Sequence, residues 1–252
     1  MSPRAVLSVS GAERVKFLQD LVTNDITKPG GLHYAALLTP QGKFLGDFFV
    51  AHEDDRLLLD MDAALAPGIA QRLSMYRLRR KVEIGETDLN VARGRSDPPA
   101  GAHPDPRHPA LGWRMIGTPS GEDGSDWDAI RVAHMVPQAG AELIVGESFP
   151  LELGLDRVNG VDFRKGCYVG QEVVSRMKHK TDLRKGLARV RVTGACAPGD
   201  PVTSDDDRPA GYVGTVSNGE ALAYLRFDRA ASGLKAGDAK LEILEDIRTA
   251  AK

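Results

Sequence analysis

The chain has 252 residues and a mass of 27.1 kDa, and its 42% hydrophobic and 27% charged residues are ordinary for a globular protein. The 33 basic and 35 acidic residues give a net charge of −2, which excludes a nucleic-acid binder that relies on overall charge. No apolar run approaches the ~18 residues of a membrane-spanning helix, so we expect no membrane partner.

The number of cysteines and the N-terminal sequence give information on the cellular compartment of the protein. The chain has two cysteines, Cys167 and Cys196, and its N-terminal stretch has no long apolar segment of the secretory type. Two cysteines fit a reducing environment and exclude a disulfide framework. They also fall short of the four ligands that a resident zinc or iron–sulfur site normally needs. We therefore expect a cytoplasmic protein and predict no certain metal site.

The first half of the chain alternates between helix and strand patterns. Ser10 and Glu13 form a capping-box pattern ahead of a helical spacing of apolar residues. Two apolar runs flank the turn Pro40–Lys43, which predicts a hairpin. Predicted helices span about 11–22, 66–78 and 126–135, the last capped by Ser125, and predicted strands span 34–39, 44–50, 57–59, 82–84, 89–92 and 111–116.

The C-terminal part has a different pattern from about residue 187. Short strand-like segments alternate with turns rich in Gly, Pro, Asn and Asp, which is typical of a small antiparallel barrel or sandwich. The predicted strands span 187–193, 210–217, 221–227 and 240–244. Mixed strands and helices before this region favour an α+β protein.

The segment around Cys167 carries the strongest chemical signal. Glycines flank the cysteine at 166 and 170, Arg164 and Lys165 precede it, and a helix is predicted to begin near Gly170. Cations and a helix N-terminus favour the thiolate, so we predict a reactive thiol with a lowered pKa. A structural cysteine in a tight turn is the alternative, because most single cysteines are inert.

Basic residues are concentrated after this cysteine. Between Arg164 and Arg191 the sequence has nine basic and two acidic residues, a local net charge of +7. This basic stripe suggests an anionic partner, either an oligo-anionic small molecule or RNA. Aromatic residues do not interleave with it, which weakens the case for a single-stranded RNA platform.

The segment Lys165-Gly166-Cys167-Tyr168-x-Gly170-Gln171-Glu172 resembles the signature of the YgfZ family, whose mitochondrial relatives assist iron–sulfur protein maturation. Other stretches resemble the same family over nearly the whole chain. They are Phe17–Asp25, Leu38–Lys43, Tyr76–Val82 and Phe149–Glu152. The family is related to the T-protein of the glycine cleavage system, a tetrahydrofolate-dependent aminomethyltransferase.

The resemblance implies an α+β ring of three domains around a folate-binding central hole, with a small C-terminal antiparallel β-barrel. The implied domains are residues 1–32 with 88–150, residues 33–87 with 151–182, which carry the cysteine motif, and residues 183–252, which form the barrel.

The resemblance also implies a site for tetrahydrofolate or another reduced folate. Glu152 matches the pterin-binding glutamate of the T-protein, and a carboxylate suits the N–H donors of a pterin edge. Asn24 and Asp47 are the other implied folate-binding residues, although Asn24 is alternatively a helix cap or turn residue. The catalytic acid of the T-protein falls on Gly46, which leaves only Asp47 and casts doubt on aminomethyl transfer.

The predicted function is the folate-linked assembly or repair of iron–sulfur clusters in client enzymes, including those that modify tRNA. Cys167 is the predicted reactive group, with Lys165 and the helix start keeping it ionised. Gly166 and Gly170 are expected to shape the loop, and Gln171 and Glu172 to orient it or cap the helix. Expected partners are a folate and iron–sulfur client or assembly proteins. A folate-dependent one-carbon transferase and an RNA-binding module are the alternative functions.

Overall fold

A computed structural model of the chain describes residues 3–28, 30–117, 121–180 and 182–249. The chain divides into two compact units. The first consists of residues 1–125 and 158–171, and the second of residues 126–157 and 172–252. Each unit has its own core and is described separately.

The first unit is built on a five-stranded antiparallel sheet with two helices. The strands are β1 (Arg4–Ser10), β2 (Leu32–Leu38), β3 (Phe44–His52), β4 (Arg56–Asp62) and β5 (Glu83–Glu86), in the order β2-β3-β4-β1-β5. The helices are α1 (Arg14–Gln19) and α2 (Ala66–Arg77). Apolar side chains of both helices pack with the sheet in one core, which includes Leu18, Phe48, Leu59, Ile69 and Leu73.

A smaller sheet completes this unit. Its strands are β6 (Val91–Gly94), β7 (His103–Pro104), β8 (Trp113–Ile116) and β9 (Gly121–Glu122), in the order β7-β8-β6-β9, with a 3₁₀ turn at Pro109–Leu111. The two sheets are joined by buried ion pairs. Asp60 on β4 accepts hydrogen bonds from Arg4 on β1 and from Arg114 on β8, each at 2.7 Å. Phe49 on β3 lies under the Arg114 guanidinium at 4.0 Å.

The second unit contains a closed barrel and two helices. The helices are α3 (Trp127–Ala133) and α4 (Gln171–Lys180), the latter beginning at the last residue of the first unit. The barrel order is β10-β13-β12-β11-β14-β15, all antiparallel, and a 3₁₀ turn spans Phe227–Ser232. The strands are β10 (Lys185–Thr193), β11 (Pro201–Ser204), β12 (Pro209–Ser217), β13 (Glu220–Arg226), β14 (Leu234–Ala236) and β15 (Ala239–Asp246).

The α+β class and the C-terminal antiparallel barrel are confirmed. The predicted hairpin around Pro40–Lys43 is present as β2 and β3, and α2 and α4 begin within one residue of their predicted starts. The three-domain division stays a prediction, but its 32/33 boundary separates β1 from its sheet partner β4.

Two predicted helix caps are wrong. The Glu13 side chain makes no cap at α1, because its carboxylate accepts the backbone N–H of Lys81 at 2.8 Å instead. At α3 the cap is Asp126 rather than Ser125, since the Asp126 side chain accepts the N–H of Ala129 at 3.0 Å. In both cases several polar groups lie near the helix start, and the three-dimensional surroundings decide which of them forms the hydrogen bond.

Candidate functional site

Cys167 lies on an exposed loop that runs into α4. Its side chain is exposed, whereas Cys196 is half-buried. The residues that flank the exposed stretch are buried: Lys165 and Tyr168 are each 8% exposed. The loop is therefore held down at two points around a cysteine that faces solvent.

Lys165 anchors the loop to the end of α1. Its ammonium donates hydrogen bonds to the carbonyl oxygens of Gln19, at 2.6 Å, and Val22, and it lies 4.9 Å from the ring centre of Tyr168. Burial lowers the pKa of Lys165 to about 8, so the ammonium still predominates at neutral pH. The observed contacts of the Lys165 ammonium are with backbone carbonyls at the end of a helix, where a cation is favourable. Its predicted role of keeping Cys167 ionised stays a prediction.

Gly170 fixes the other side of the loop against the β2–β3 hairpin. Its φ is +85°, and an added Cβ would lie 2.7 Å from the carbonyl oxygen of Thr39 and 3.1 Å from Cα of Gly42. Only glycine fits this close approach, so the path of the loop depends on Gly170. Gly166 differs, because a Cβ there would meet nothing within 4 Å. The fold therefore does not require glycine at 166.

The contrast between these glycines gives a test. We expect Gly170→Ala to lower the free energy of unfolding by about 1–2 kcal/mol from backbone strain alone, with the clash at Thr39 adding to it. Gly166→Ala is the matched control and should stay within about 0.5 kcal/mol of the wild type. Urea unfolding of both variants measures this difference. Equal stabilities would contradict the described packing of the loop.

The remaining motif residues lie at the start of α4. The Gln171 N–H donates to the Tyr168 carbonyl at 3.3 Å, which closes the turn before the helix. Glu172 is exposed in the first turn, where a negative charge complements the helix dipole. The observed placement of Glu172 thus supports the helix start electrostatically, and its other predicted roles stay predictions.

Asn24 connects the end of α1 to the segment that precedes the cysteine loop. Its amide nitrogen donates to the carbonyls of Tyr34, at 2.8 Å, and Asn159, at 2.7 Å, while its oxygen accepts the N–H of Asp25. Thr23 binds the same segment through the Gly160 carbonyl at 2.6 Å. The described contacts give Asn24 a positioning role, because both of its amide hydrogens are used within the fold; its contact with folate stays a prediction.

Three stretches of the family resemblance thus meet at one place in the first unit. Phe17–Asp25 supplies the carbonyls and the amide that hold residues 159–165, and Leu38–Lys43 packs against Gly170. A cleft of about 400 Å³ lies beside the loop. It is lined by Asn24, Asn159, Val161, Asp162, Phe163 and Arg164.

Asp47 and Gly46 point to opposite faces of β3. The Tyr34 hydroxyl donates to Asp47 at 2.8 Å, and burial raises the pKa of Asp47. An added Cβ at Gly46 would lie 2.7 Å from Cδ1 of Ile69 and 3.5 Å from Leu65. The position matched to the T-protein's catalytic acid therefore faces apolar side chains of the core. An acid at residue 46 would be buried without a polar partner.

Glu152 forms a separate cluster within the second unit. It is 7% exposed, and its Oε2 accepts the Tyr224 hydroxyl at 2.5 Å and lies 3.6 Å from the Lys185 ammonium. Burial and this carboxylate together raise the pKa of Tyr224. The rings of Tyr212 and Tyr224 are 5.4 Å apart, so the cluster combines a carboxylate, an ammonium and two aromatic faces. Tyr212 and Tyr224 are members that the sequence reasoning missed, because no local motif distinguishes them from other barrel tyrosines.

Part of the basic stripe is paired with acidic residues of the second unit, whereas Arg164, Arg176 and Arg184 are exposed. Lys178 lies 2.7 Å from Asp156, and Arg191 lies 2.5 Å from Glu242. Arg189 is within 3.9 Å of both Glu220 and Glu245. Ion pairs within the fold therefore neutralise part of the stripe, and RNA binding stays a prediction.

The two thiols differ in a way that alkylation can measure. Burial, aided by Asp200, raises the pKa of Cys196, whereas Cys167 is exposed. Since the thiolate is the reacting form, we expect iodoacetamide at neutral pH to label Cys167 roughly tenfold or more faster than Cys196. Peptide mass spectrometry over a time course gives both rates. Faster labelling of Cys196 would contradict the exposed placement of Cys167.

Comparisons with known proteins agree with this fold. Residues 184–246 match the family described as the CAF17 C-terminal beta-barrel domain. The chain also matches the solved structure of the glycine cleavage system aminomethyltransferase T from Bartonella henselae. The TM-score is 0.75 and the match covers 99% of this chain and 84% of that one, at 13% sequence identity. The predicted fold relationship to the T-protein is thereby confirmed.

Relatives with a named role are more similar in sequence. The mitochondrial iron–sulfur cluster assembly factor IBA57 homologs of Mycosarcoma maydis and Neurospora crassa are 33% and 31% identical over 82% and 74% of this chain. The chain spans only 60% and 52% of those proteins.

The human iron–sulfur cluster assembly factor IBA57 is 30% identical over 92% of this chain and 74% of its own length. The predicted relationship to iron–sulfur maturation proteins is confirmed at this level, and the narrower assignment to YgfZ stays a prediction. This identity over most of both chains shows that the protein belongs to the IBA57 family of iron–sulfur cluster assembly factors.

Proposed function

We propose that the protein assists the assembly or repair of iron–sulfur clusters in client enzymes, with Cys167 as the group that meets the cluster. The observation that carries this proposal is the exposed cysteine on a loop clamped by Lys165 and Gly170. A fixed, accessible thiol suits transient ligation of an iron atom or a reaction with a partner. The names of the relatives support the same role.

The number of ligands implies that the cluster is cargo. Iron–sulfur clusters are normally held by four cysteines or equivalent ligands. Among the described residues no group of three or more His, Cys, Asp or Glu is arranged to hold a metal ion. Cys167 therefore supplies one ligand, and a partner protein or a small thiol supplies the others.

A reduced folate is the proposed small-molecule partner, and the Glu152 cluster fits it. No described residue donates a hydrogen bond to the Oε1 atom of Glu152, so this buried carboxylate keeps an acceptor for the N–H groups of a pterin edge. The half-buried rings of Tyr212 and Tyr224 offer an apolar face beside it, and Lys185 offers a cation for an acidic tail. When bound, a reduced folate would supply a carrier for a one-carbon unit.

The finer assignments follow from the resemblance to YgfZ. We include tRNA-modifying enzymes among the proposed clients on that basis. Aminomethyl transfer by the T-protein route has no support, because position 46 faces Ile69 and carries no acid. Within the described residues no helix is long and apolar enough to span a membrane.

A deletion strain tests the proposed function. We expect cells that lack the protein to lose activity of iron–sulfur enzymes, and a plasmid carrying the wild-type chain to restore it. Enzymes without clusters, assayed in the same extracts, are the control. Unchanged iron–sulfur enzyme activities in the deletion strain under oxidative stress would remove the proposal.

A further inference from the structure

The turn that follows α2 places a leucine in a strained and exposed position. The Arg80 N–H donates to the Arg77 carbonyl at 2.8 Å, and Leu78 is the first central residue of this turn with φ 45° and ψ −112°. These angles are those of a type II′ turn, where glycine is the favoured residue. The Leu78 side chain is 85% exposed, so no burial compensates for the strain. Strain held without a structural reason points to function.

A second exposed apolar side chain belongs to the last turn of α2, three residues before Leu78. Met75, one turn earlier on α2, is 61% exposed. Two hollows of about 660 and 720 Å³ flank the turn and share the residues 77–80. One also reaches Ser10–Ala12 at the end of β1, and the other reaches Glu13 and Tyr76. The turn therefore lines both depressions and carries an exposed apolar side chain, Leu78.

The surroundings of this turn are basic. Arg80 is neutralised by Asp20 at 2.9 Å, and Arg77 donates to the Val82 carbonyl at 3.5 Å. The exposed side chains of Arg79 and Lys81 have no acidic partner among the described residues. We call Met75, Arg77, Leu78, Arg79 and Lys81 the turn patch.

We propose that the turn patch is a docking site for an acidic segment of a partner protein that carries an apolar side chain. The cations complement acidic residues of the partner. Met75 and Leu78 add an apolar surface, which a purely ionic interface does not require, so the partner segment is expected to carry an apolar side chain as well. An RNA strand fits less well, because base stacking needs an open aromatic face and Tyr76, which lines one hollow, is half-buried against the core of the first unit. The inference does not depend on Cys167 or on folate.

The test uses a synthetic peptide with one leucine in the middle of a run of glutamates. Methyl NMR of the full chain reports Met75 and Leu78 directly, and fluorescence anisotropy gives the affinity. We expect the peptide to shift both methyl signals, and a peptide with serine in place of leucine to bind more weakly. The double variant R79E/K81E should weaken binding roughly tenfold. The matched control R191E/R208E, on the barrel, should leave it unchanged.

Leu78→Gly separates docking from folding. Because glycine relieves the strain, we expect this variant to melt about 2–4 °C higher than the wild type while it binds the peptide more weakly. Absence of methyl shifts, or equal affinity for R79E/K81E and the wild type, would overturn the proposal. Tighter binding of an oligouridine than of the peptide at the same methyl groups would overturn it in favour of RNA.

Discussion

Replacing Asp60 with alanine is expected to lower the free energy of unfolding by about 3–5 kcal/mol. Asp60 is fully buried, and its two oxygens accept one hydrogen bond each from Arg4 and Arg114. Arg114 is itself only 2% exposed, and burial already lowers its pKa to about 10. Loss of the carboxylate would leave this guanidinium buried with Asp105, 3.7 Å away, as its nearest acidic group.

Asp62→Ala is the matched control for this variant. Asp62 ends the same strand, is only half-buried and accepts a hydrogen bond from the Ala64 backbone. We expect its loss to cost about 0.5–1.5 kcal/mol. Urea titrations followed by tryptophan fluorescence give both free energies of unfolding. Trp113 is the fluorophore next to Arg114 in the sequence. Similar losses in the two variants would show that the buried ion pairs do not stabilise the first unit.

Glu152→Ala is expected to weaken tetrahydrofolate binding about ten- to hundredfold, because one charge-assisted hydrogen-bonding partner is removed. Glu147 is exposed in the same unit, so Glu147→Ala is the control and should bind as the wild type does. Isothermal titration calorimetry gives the affinities. Thermal melting establishes that the variant is folded after Tyr224 loses its acceptor.

Two outcomes of this titration would contradict the folate proposal, one the role of Glu152 and the other folate binding itself. Equal affinities of the wild type and Glu152→Ala would remove Glu152 from the site and leave folate binding in place. Absence of binding to the wild type would remove folate as a partner.

Much of the fold could be predicted because it follows from local patterns. The hairpin at Pro40–Lys43, helix α2 and four barrel strands have clear periodicity and turn residues. The sequence patterns do not predict strands β11 and β14. Each has only three or four residues and is part of the barrel because it pairs with the other. Short strands of this kind carry too little periodicity to be recognised alone.

The sequence motif locates the loop of the candidate site, but the contacts of its residues depend on distant segments of the chain. The motif identified Cys167, and the path of the loop depends on Gly170. The observed contacts of Lys165 and Asn24 could not be predicted, because their partners at Gln19 and Asn159 lie more than 130 residues away in sequence. A local pattern shows which side chains are present, but not which distant carbonyls they reach.

One overlooked signal lay in β4. Asp60 interrupts the apolar run Leu57–Met61, and an acid in a buried strand must find a cation or a hydrogen-bond donor. The sequence alone does not say which of 33 basic residues pairs with it. The structure assigns Arg4 and Arg114.

The central claim is that the exposed thiol of Cys167 is needed for the iron–sulfur role, whereas Cys196 is not. Serine is close to cysteine in size, but its hydroxyl does not ionise near neutral pH and is a poor iron ligand. Cys167 is exposed, so Cys167→Ser should fold as the wild type does. Cys196→Ser is the matched control, because it removes the other thiol of the chain.

The most direct measurement is the activity of iron–sulfur enzymes in a deletion strain that expresses each variant at equal levels. We expect the wild type and Cys196→Ser to restore activity, and Cys167→Ser to leave it at the level of the empty plasmid. Full restoration by Cys167→Ser would contradict the account and make Cys167 a structural residue of the loop.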